Sequence, residues 1–180
     1  MASLITHPIV PLGLALALGP SVVPRRLLIA AIAASMVPDA DTIGLRLGVD
    51  YGALWGHRGM THSLSFAAAL GALGALAAPA LGAKRLIACA LIFLSAASHG
   101  LLDSLTTGGL GIAFFSPFDR TRYFLPWNPI EVSPIGIRAF FSSWGLRVIK
   151  SELVYVWAPM LALALAGAGL RRRLRGPQLG

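Results

Sequence analysis

Residues 63–105 read SLSFAAALGALGALAAPALGAKRLIACALIFLSAASHGLLDSL, and this run sets the architecture. Its two apolar parts, Ser63 to Leu81 and Leu86 to Leu105, are each about twenty residues long, the length of helix that crosses a bilayer. The basic turn Lys84-Arg85 separates them, and the first part is rich in Ala and Gly, which permit close helix packing. This run therefore predicts an antiparallel pair of membrane-spanning helices.

The composition of the whole chain is that of a membrane protein. Its 180 residues are 56% hydrophobic and 12% charged, and the mean hydropathy is +0.75, whereas a soluble domain carries roughly 25% charged residues. The length fits one membrane-embedded domain, which we place at residues 1–175, followed by a short tail at 176–180. The single cysteine, Cys89, lies in an apolar run and offers no disulfide framework.

The remaining apolar segments complete a helical bundle. Pro8 to Leu18 and Leu27 to Val37 are short for a full span and predict a helical hairpin. Glu152 to Leu170 predicts the last span. The segment 106–151 is too long for a plain connection, and we expect an interfacial loop with an amphipathic helix over Ile137 to Lys150. The predicted fold is all-α: a multi-pass helical membrane protein of about five helical segments, two short and N-terminal and three long.

Basic residues gather at one predicted end of the bundle. This basic end consists of Arg25, Arg26, Lys84, Arg85, Arg171, Arg172, Arg173 and Arg175. Short basic turns mark the cytoplasmic side, so we expect the opposite end to face the periplasm or exterior. The arginines form helix-end clusters and not a stripe with interleaved aromatics, which disfavours a nucleic-acid partner relative to the lipid bilayer.

The histidines lie close to the ends of the apolar segments, and most have aspartates nearby. The candidate metal ligands are His7, Asp39, Asp41, His57, His62, His99 and Asp103. His99 and Asp103 are four residues apart, so a helix presents both on one face. Ionisable groups gathered at membrane depth indicate a functional site, and mixed imidazole and carboxylate ligands favour a divalent metal, zinc first.

Each cluster also has a purely structural explanation. The aspartates after Pro38 can be helix-end caps, the histidine pair around Gly59 can be interfacial, and Asp103 can simply orient His99. The metal hypothesis therefore depends on several segments converging at one membrane level. Seven ligands exceed what one tetrahedral ion takes, so we expect one to two ions with an aspartate as a bridge.

Two arginines are candidates for binding a phosphate group. Arg58 lies in the bend between two of the histidines, and Arg122 lies in an aromatic loop together with Arg120. Guanidinium groups bind phosphate in a bidentate manner, although nonspecific headgroup contact explains Arg120 equally well. With Asp39 as bridging ligand or general base, the predicted catalytic residues are Asp39, Arg58 and Arg122.

Six short motifs form a specific pattern when taken together. They are Thr6-His7, Pro38-Asp39-x-Asp41, His57-Arg58-Gly59-x-Thr61-His62-Ser63, His99-x3-Asp103, Thr106-Thr107-x-Gly109 and Pro117-Phe118-x3-Arg122-Tyr123-Phe124-x-Pro126-Trp127. This pattern, over about residues 1–135, resembles the YdjM-like family. The resemblance implies a small multi-pass protein of the bacterial inner membrane that acts as a metal-dependent hydrolase.

A more distant resemblance extends this expectation. The family is similar to the zinc-dependent phospholipase C superfamily, whose helical enzymes hold three zinc ions. The His-x3-Asp pair of that superfamily looks like His99 and Asp103, and an upstream Asp and His fall near Asp41 and His62. No histidine follows His99, so a further C-terminal ligand pair of the superfamily has no counterpart. Three ions is therefore the upper limit.

Two classes of function remain at this point. The first is a membrane-bound hydrolase in which metal-activated water attacks a phosphoester of a lipid or membrane-associated substrate. The alternative is a metal-binding scaffold or transporter without catalysis. A transporter predicts acidic or polar residues at mid-span, and the middles of Ser63–Leu81 and Glu152–Leu170 offer none. A nucleic-acid partner at the basic end is a third, weaker hypothesis.

Overall fold

The regular structure of the protein is helical. The computed structural model describes residues 1–134 and 136–175, and over these residues pairing of extended backbone is limited to two isolated bridges, Thr106–Ile130 and Ile112–Tyr123. The helices are α1 (Ile9–Leu18), α2 (Arg25–Met36), α3 (Thr42–Arg46), α4 (Leu64–Leu81), α5 (Arg85–Ser104), α6 (Ile137–Phe140), α7 (Ser143–Glu152) and α8 (Ala158–Arg175).

Four helical stretches are long and apolar enough to cross a membrane: Arg25–Arg46, Leu64–Leu81, Arg85–Ser104 and Ser143–Leu174. The prediction of an all-α, multi-pass membrane protein is confirmed. One boundary differs, because the second segment does not stop at Val37. It continues through a 3₁₀ turn, Val37–Asp41, into α3, since a proline in the first turn of a helix has no N–H to lose. This segment is therefore a fourth long stretch and not half of a short hairpin.

The last span also begins earlier than Glu152. Ser142 caps α7 by accepting a hydrogen bond from the Trp144 backbone N–H, and α7 passes through a π-helical turn, Leu153–Trp157, directly into α8. The amphipathic helix predicted over Ile137 to Lys150 is thus divided. Its first part is the four-residue α6, and its second part belongs to the last span.

Small residues set the distance between helices. A Cβ atom placed on Gly74 of α4 would lie 3.1 Å from the Ala88 carbonyl oxygen of α5. In the same way, a Cβ on Gly167 of α8 would lie 2.7 Å from the Ala17 carbonyl oxygen of α1. These approaches allow backbone-to-backbone contact, the usual way in which helices associate in lipid.

The predicted basic end exists as one end of the bundle. Arg26 donates to the Ala80 carbonyl at the end of α4, at 3.3 Å, and Arg171 donates to the Leu16 carbonyl at the end of α1, at 2.8 Å. The residues that open α1 and α4 and close α5 therefore lie at the opposite end of the bundle.

Replacing Gly167 by leucine should destabilise the bundle, because the new side chain meets the backbone of α1. Overpacking of this kind typically costs about 1–3 kcal/mol. Thermal unfolding of the purified protein should show a lower midpoint for Gly167→Leu. Gly169→Leu, two residues further along the same helix, is the matched control, because nothing lies within 4 Å of a Cβ there. Equal midpoints for the two variants would contradict this packing.

Candidate metal centre

Five buried side chains from four separate segments meet at the end of the bundle opposite the basic end. His7 precedes α1, Asp39 lies in the 3₁₀ turn after α2, and His62 lies in a 3₁₀ turn, Met60–His62, before α4. His99 and Asp103 lie on the last turns of α5, on the one face that their spacing predicts. Asp39 is 7% exposed and the other four are no more than 2% exposed.

Four of these side chains surround a common point. Asp39, His62, His99 and Asp103 each offer a ligand atom, and all four atoms lie within 4.8 Å of one another. We call this group the four-donor set. The two Nε2 atoms of His62 and His99 are 3.1 Å apart, and Asp39 Oδ1 lies 3.3 Å from His99 Nε2. Asp103 Oδ2 is 3.7 Å from His62 Nε2.

In each imidazole of the four-donor set, the Nδ1 atom, which points away from the centre, has a partner of its own. His99 Nδ1 is 2.7 Å from the Ser35 carbonyl oxygen, which can only accept a hydrogen bond. His62 Nδ1 is 3.2 Å from Asp41 Oδ2. With a cation at the centre, a proton on each Nδ1 would leave the Nε2 lone pair to bind it, which is the outer-layer arrangement usual for metal-binding histidines.

The polar atoms that face the centre lack partners of their own. Within the described part of the chain, both oxygens of Asp39, Asp103 Oδ2 and both ring nitrogens of His7 are buried without a hydrogen bond. Buried polar groups are nearly always satisfied, and an unpaired buried carboxylate is costly. A divalent cation bound by two imidazoles and two carboxylates would satisfy the carboxylate oxygens that face it, so the donor set fits a metal ion.

His7 adds a further donor beside the four-donor set. Its ring stacks on that of His99, with centroids 3.7 Å apart and planes at 11°. Its Nε2 lies 3.7 Å from Asp103 Oδ1 and 3.9 Å from Asp39 Oδ2. Burial, reinforced by the neighbouring His99, lowers the pKa of His7 to about 3, so its ring is neutral and keeps a lone pair for a ligand.

The predicted ligands His57 and Asp41 lie one layer further out. His57 Nδ1 is 2.6 Å from Asp41 Oδ1, and Asp41 Oδ2 accepts from the Thr61 hydroxyl at 2.7 Å. Burial lowers the pKa of His62, but the carboxylates of Asp39 and Asp41 outweigh it and raise this pKa to about 9. Asp41, His57 and His62 also form a second, geometrically possible metal-binding group, which shares His62 with the four-donor set.

The two arginines differ in what their guanidinium groups contact. Arg58 is fully buried and has a positive φ of 65°; it donates to the Gly108 carbonyl at 2.6 Å and the Thr106 hydroxyl at 3.1 Å. Its Nε faces the centre, 3.5 Å from Asp103 Oδ2. Arg122 instead donates to the carbonyls of His57 and Tyr51, both at 3.0 Å, and so ties two loops together.

One buried acid near the centre, Glu152, is not among the site residues predicted from the sequence. Glu152 is 1% exposed and accepts hydrogen bonds from the Ser3 backbone N–H and hydroxyl and from the Thr6 hydroxyl. Burying a carboxylate at the edge of an apolar span costs free energy, so the position of Glu152 in the sequence could have marked it as a candidate functional residue. Its partners are 146 to 149 residues away in the chain, so no local pattern could reveal its role.

His99→Ala should remove bound metal from the purified protein, because it deletes one of four converging ligands. Elemental analysis should find at least one equivalent of divalent metal in the wild type. The loss in His99→Ala should exceed the 10–100-fold drop in affinity typical of an outer-layer change. Ser98→Ala is the control, because the Ser98 hydroxyl bonds locally to the Ser95 carbonyl. A wild type without stoichiometric metal would rule out the centre.

Asp41→Asn should weaken metal binding without abolishing it. The change keeps the shape of the side chain but removes the charge that holds His62 Nδ1 protonated, so about 10–100-fold lower affinity is expected. Metal titration of Asp41→Asn beside His99→Ala measures the difference. A complete loss in Asp41→Asn would make Asp41 a direct ligand.

Comparison with known proteins agrees with this architecture. The family model described as YdjM inner membrane protein matches residues 1–174. The chain is 43% identical over 164 residues to inner membrane protein YbcI of Escherichia coli (strain K12), covering 91% of this chain and 95% of that protein. No solved structure matches it, and these matches give no support to the phospholipase C resemblance. The chain therefore belongs to the YdjM family of inner membrane proteins.

Proposed function

We propose that the protein is a metal-dependent hydrolase, most simply zinc-dependent, that cleaves a phosphoester of a lipid or membrane-associated substrate. One observation carries this proposal. Asp39 and Asp103 each turn one oxygen toward His62 and His99 and the other toward His7. These two carboxylates would therefore help to hold two cations, one together with His62 and His99 and one together with His7.

A pair of divalent cations supplies activated water and stabilises the attacking and leaving oxygens of a phosphoester. The chain's own residues then have distinct tasks. His62, His99 and Asp103 hold the inner position, and His7 holds the outer one. Asp39 is the most exposed of the five; it would help to hold both positions, or its Oδ2 would accept the proton of the attacking water if the outer position held no cation.

The arginine closest to the reaction in this proposal is Arg58. Its Nε has no hydrogen-bond partner among the described residues and faces Asp103 Oδ2 at 3.5 Å. That N–H can orient Asp103 and donate to a phosphoryl oxygen. Arg122 uses its guanidinium on loop carbonyls, so we assign it to holding the His57 loop and not to direct contact with phosphate.

An apolar groove supports a lipid as the substrate. It lies between α1 and α8, has a volume of about 440 Å³, and is lined by residues that include Ile9, Leu12, Leu16, Trp157 and Leu161. At one end of the groove, the Trp157 indole N–H donates to the Thr6 hydroxyl at 2.8 Å, and Thr6 directly precedes His7. A hydrocarbon chain in this groove would bring a phosphate headgroup toward the metal centre.

The enclosure of the centre favours a second candidate, a metal-binding scaffold without catalysis. All members of the four-donor set are buried, and structural metal sites are typically closed by four protein ligands, whereas catalytic sites keep an open position. A scaffold predicts that loss of a ligand lowers the yield of folded protein as its main effect.

Hydrolysis of phosphatidic acid and phosphatidylglycerol by the full chain in nanodiscs tests the proposal. We expect release of phosphate or headgroup that stops with a chelator and returns with Zn²⁺. His99→Ala should be at least about 100-fold slower, since it disrupts the ion that activates water, while Ser98→Ala keeps its rate. Long-chain lipids should react faster than short-chain lipids if the groove holds the chain. Metal-loaded protein that hydrolyses neither lipid would overturn the proposal and favour the scaffold.

A further inference from the structure

Glu152 lies inside the last span, yet it contacts the opposite end of the chain. Its carboxylate accepts from the Ser3 backbone N–H at 2.5 Å, from the Ser3 hydroxyl at 2.6 Å and from the Thr6 hydroxyl at 2.8 Å. The residue Glu152 is 1% exposed. The three hydrogen bonds therefore replace those that its carboxylate would make with water. The acid therefore binds the N-terminal segment tightly to α7.

The π-helical turn after Glu152 provides a second contact on the same segment. Glu152 and Trp157 are five residues apart, the spacing that a π turn with its i→i+5 hydrogen bonds brings together. Thr6 donates its hydroxyl to Glu152 and accepts the indole N–H of Trp157, both at 2.8 Å. Such turns are frequent at functional sites. Here Glu152 and Trp157, at either end of the turn, form a clasp that holds Thr6 by two hydrogen bonds.

The segment held by this clasp contacts the metal centre on both sides of it. On one side, the Ala2 backbone N–H donates to Asp103 Oδ1 at 2.6 Å. On the other side, His7 follows Thr6 directly and stacks on His99. Residues 2–7, which we call the strap, thus supply one hydrogen bond and one candidate ligand to the centre, and Glu152 holds them between these two points.

We propose that Glu152 is a positioning residue that fixes the strap, and with it His7, at the outer cation position. The inference rests on the proposed function only in taking that position as a metal site. Glu152 itself contacts no atom of the four-donor set in the described chain, so its loss should leave the inner position intact. Through its hydrogen bonds to the strap, it links the last membrane span to the metal centre.

Cysteine labelling measures the position of the strap without reference to metal or turnover. Ala2→Cys in a Cys89→Ala background places a thiol at a site that is 0% exposed. Glu152→Gln removes the carboxylate and places an amide NH₂ group against the hydrogen-bond donors of the strap. Because hydrogen bonds to a charged group are lost, the rate of maleimide labelling at the introduced cysteine should rise about tenfold or more. Glu131→Gln, a loop acid outside the clasp, is the matched control and should label like the parent.

Zn²⁺ titration of the same full-length variants supplies the second measurement. Glu152→Gln and His7→Gln should each weaken the weaker-binding equivalent about tenfold and leave the tighter equivalent unchanged. Ser3→Ala removes one hydrogen-bond donor of the strap and keeps Glu152, so it should show the same changes to a smaller extent. If Glu152→Gln does not fold, Ser3→Ala tests the positioning role in its place.

Two outcomes separate this inference from the proposed function. Labelling of Glu152→Gln and Ser3→Ala at the parental rate would overturn the positioning role, whether or not the protein hydrolyses lipids. Faster labelling together with a weakened outer equivalent, in a protein without hydrolysis, would support the positioning role and reject the hydrolase.

Discussion

Two carboxylates buried beside imidazoles, Asp39 and Asp103, are the constraint on which the rest of the structure depends. Taking an ionised group out of water costs several kcal/mol even after relaxation, and neither acid is compensated by an arginine in ideal geometry. Arg58 comes no nearer to Asp103 than 3.5 Å. Histidine nitrogens directed at the same point reduce this cost only in part, and a divalent cation held at that point would reduce it further. The helices are arranged so that these groups meet.

The same requirement explains why the centre lies at an end of the bundle. Its ligands come from helix termini and 3₁₀ turns, where the chain can change direction and where backbone carbonyls such as that of Ser35 are free to accept from a histidine. The helices behind them pack through small residues, for example Gly74 against Ala88 and Gly167 against Ala17. A rigid, closely packed bundle holds these four separate segments in register with one another.

The loops at this end are part of the structure of the centre and not only a cover. Arg58 fixes the turn at Gly108, and Arg122 joins the loop of Tyr51 to that of His57. The strap and the π turn of the last span complete the enclosure through Glu152. Arg58, Arg122 and Glu152 therefore bind mostly backbone and hydroxyl groups, as expected where little water is present to solvate them.

The sequence by itself determined the membrane architecture and the set of candidate ligands. Apolar length defines a span, and the four-residue spacing of His99 and Asp103 defines one face of a helix, so both features are local. Reading Pro38 as a stop shortened the second segment, because proline breaks a helix interior but is accepted in a first turn. No local feature of the sequence indicates that Asp41 and His57 lie outside the four-donor set, beside the Nδ1 atom of His62.

Only the tertiary structure decided which groups share a point, and which acids have partners. Glu152 lies 146 to 149 residues away in the chain from Thr6 and Ser3, and their contact depends on how α1 packs against the last span. Distances of this kind result from the packing of whole helices, whose energy is summed over many small contacts. A pattern in the sequence reports the face and the length of an element, whereas the neighbour of that face is fixed only when all the elements are assembled.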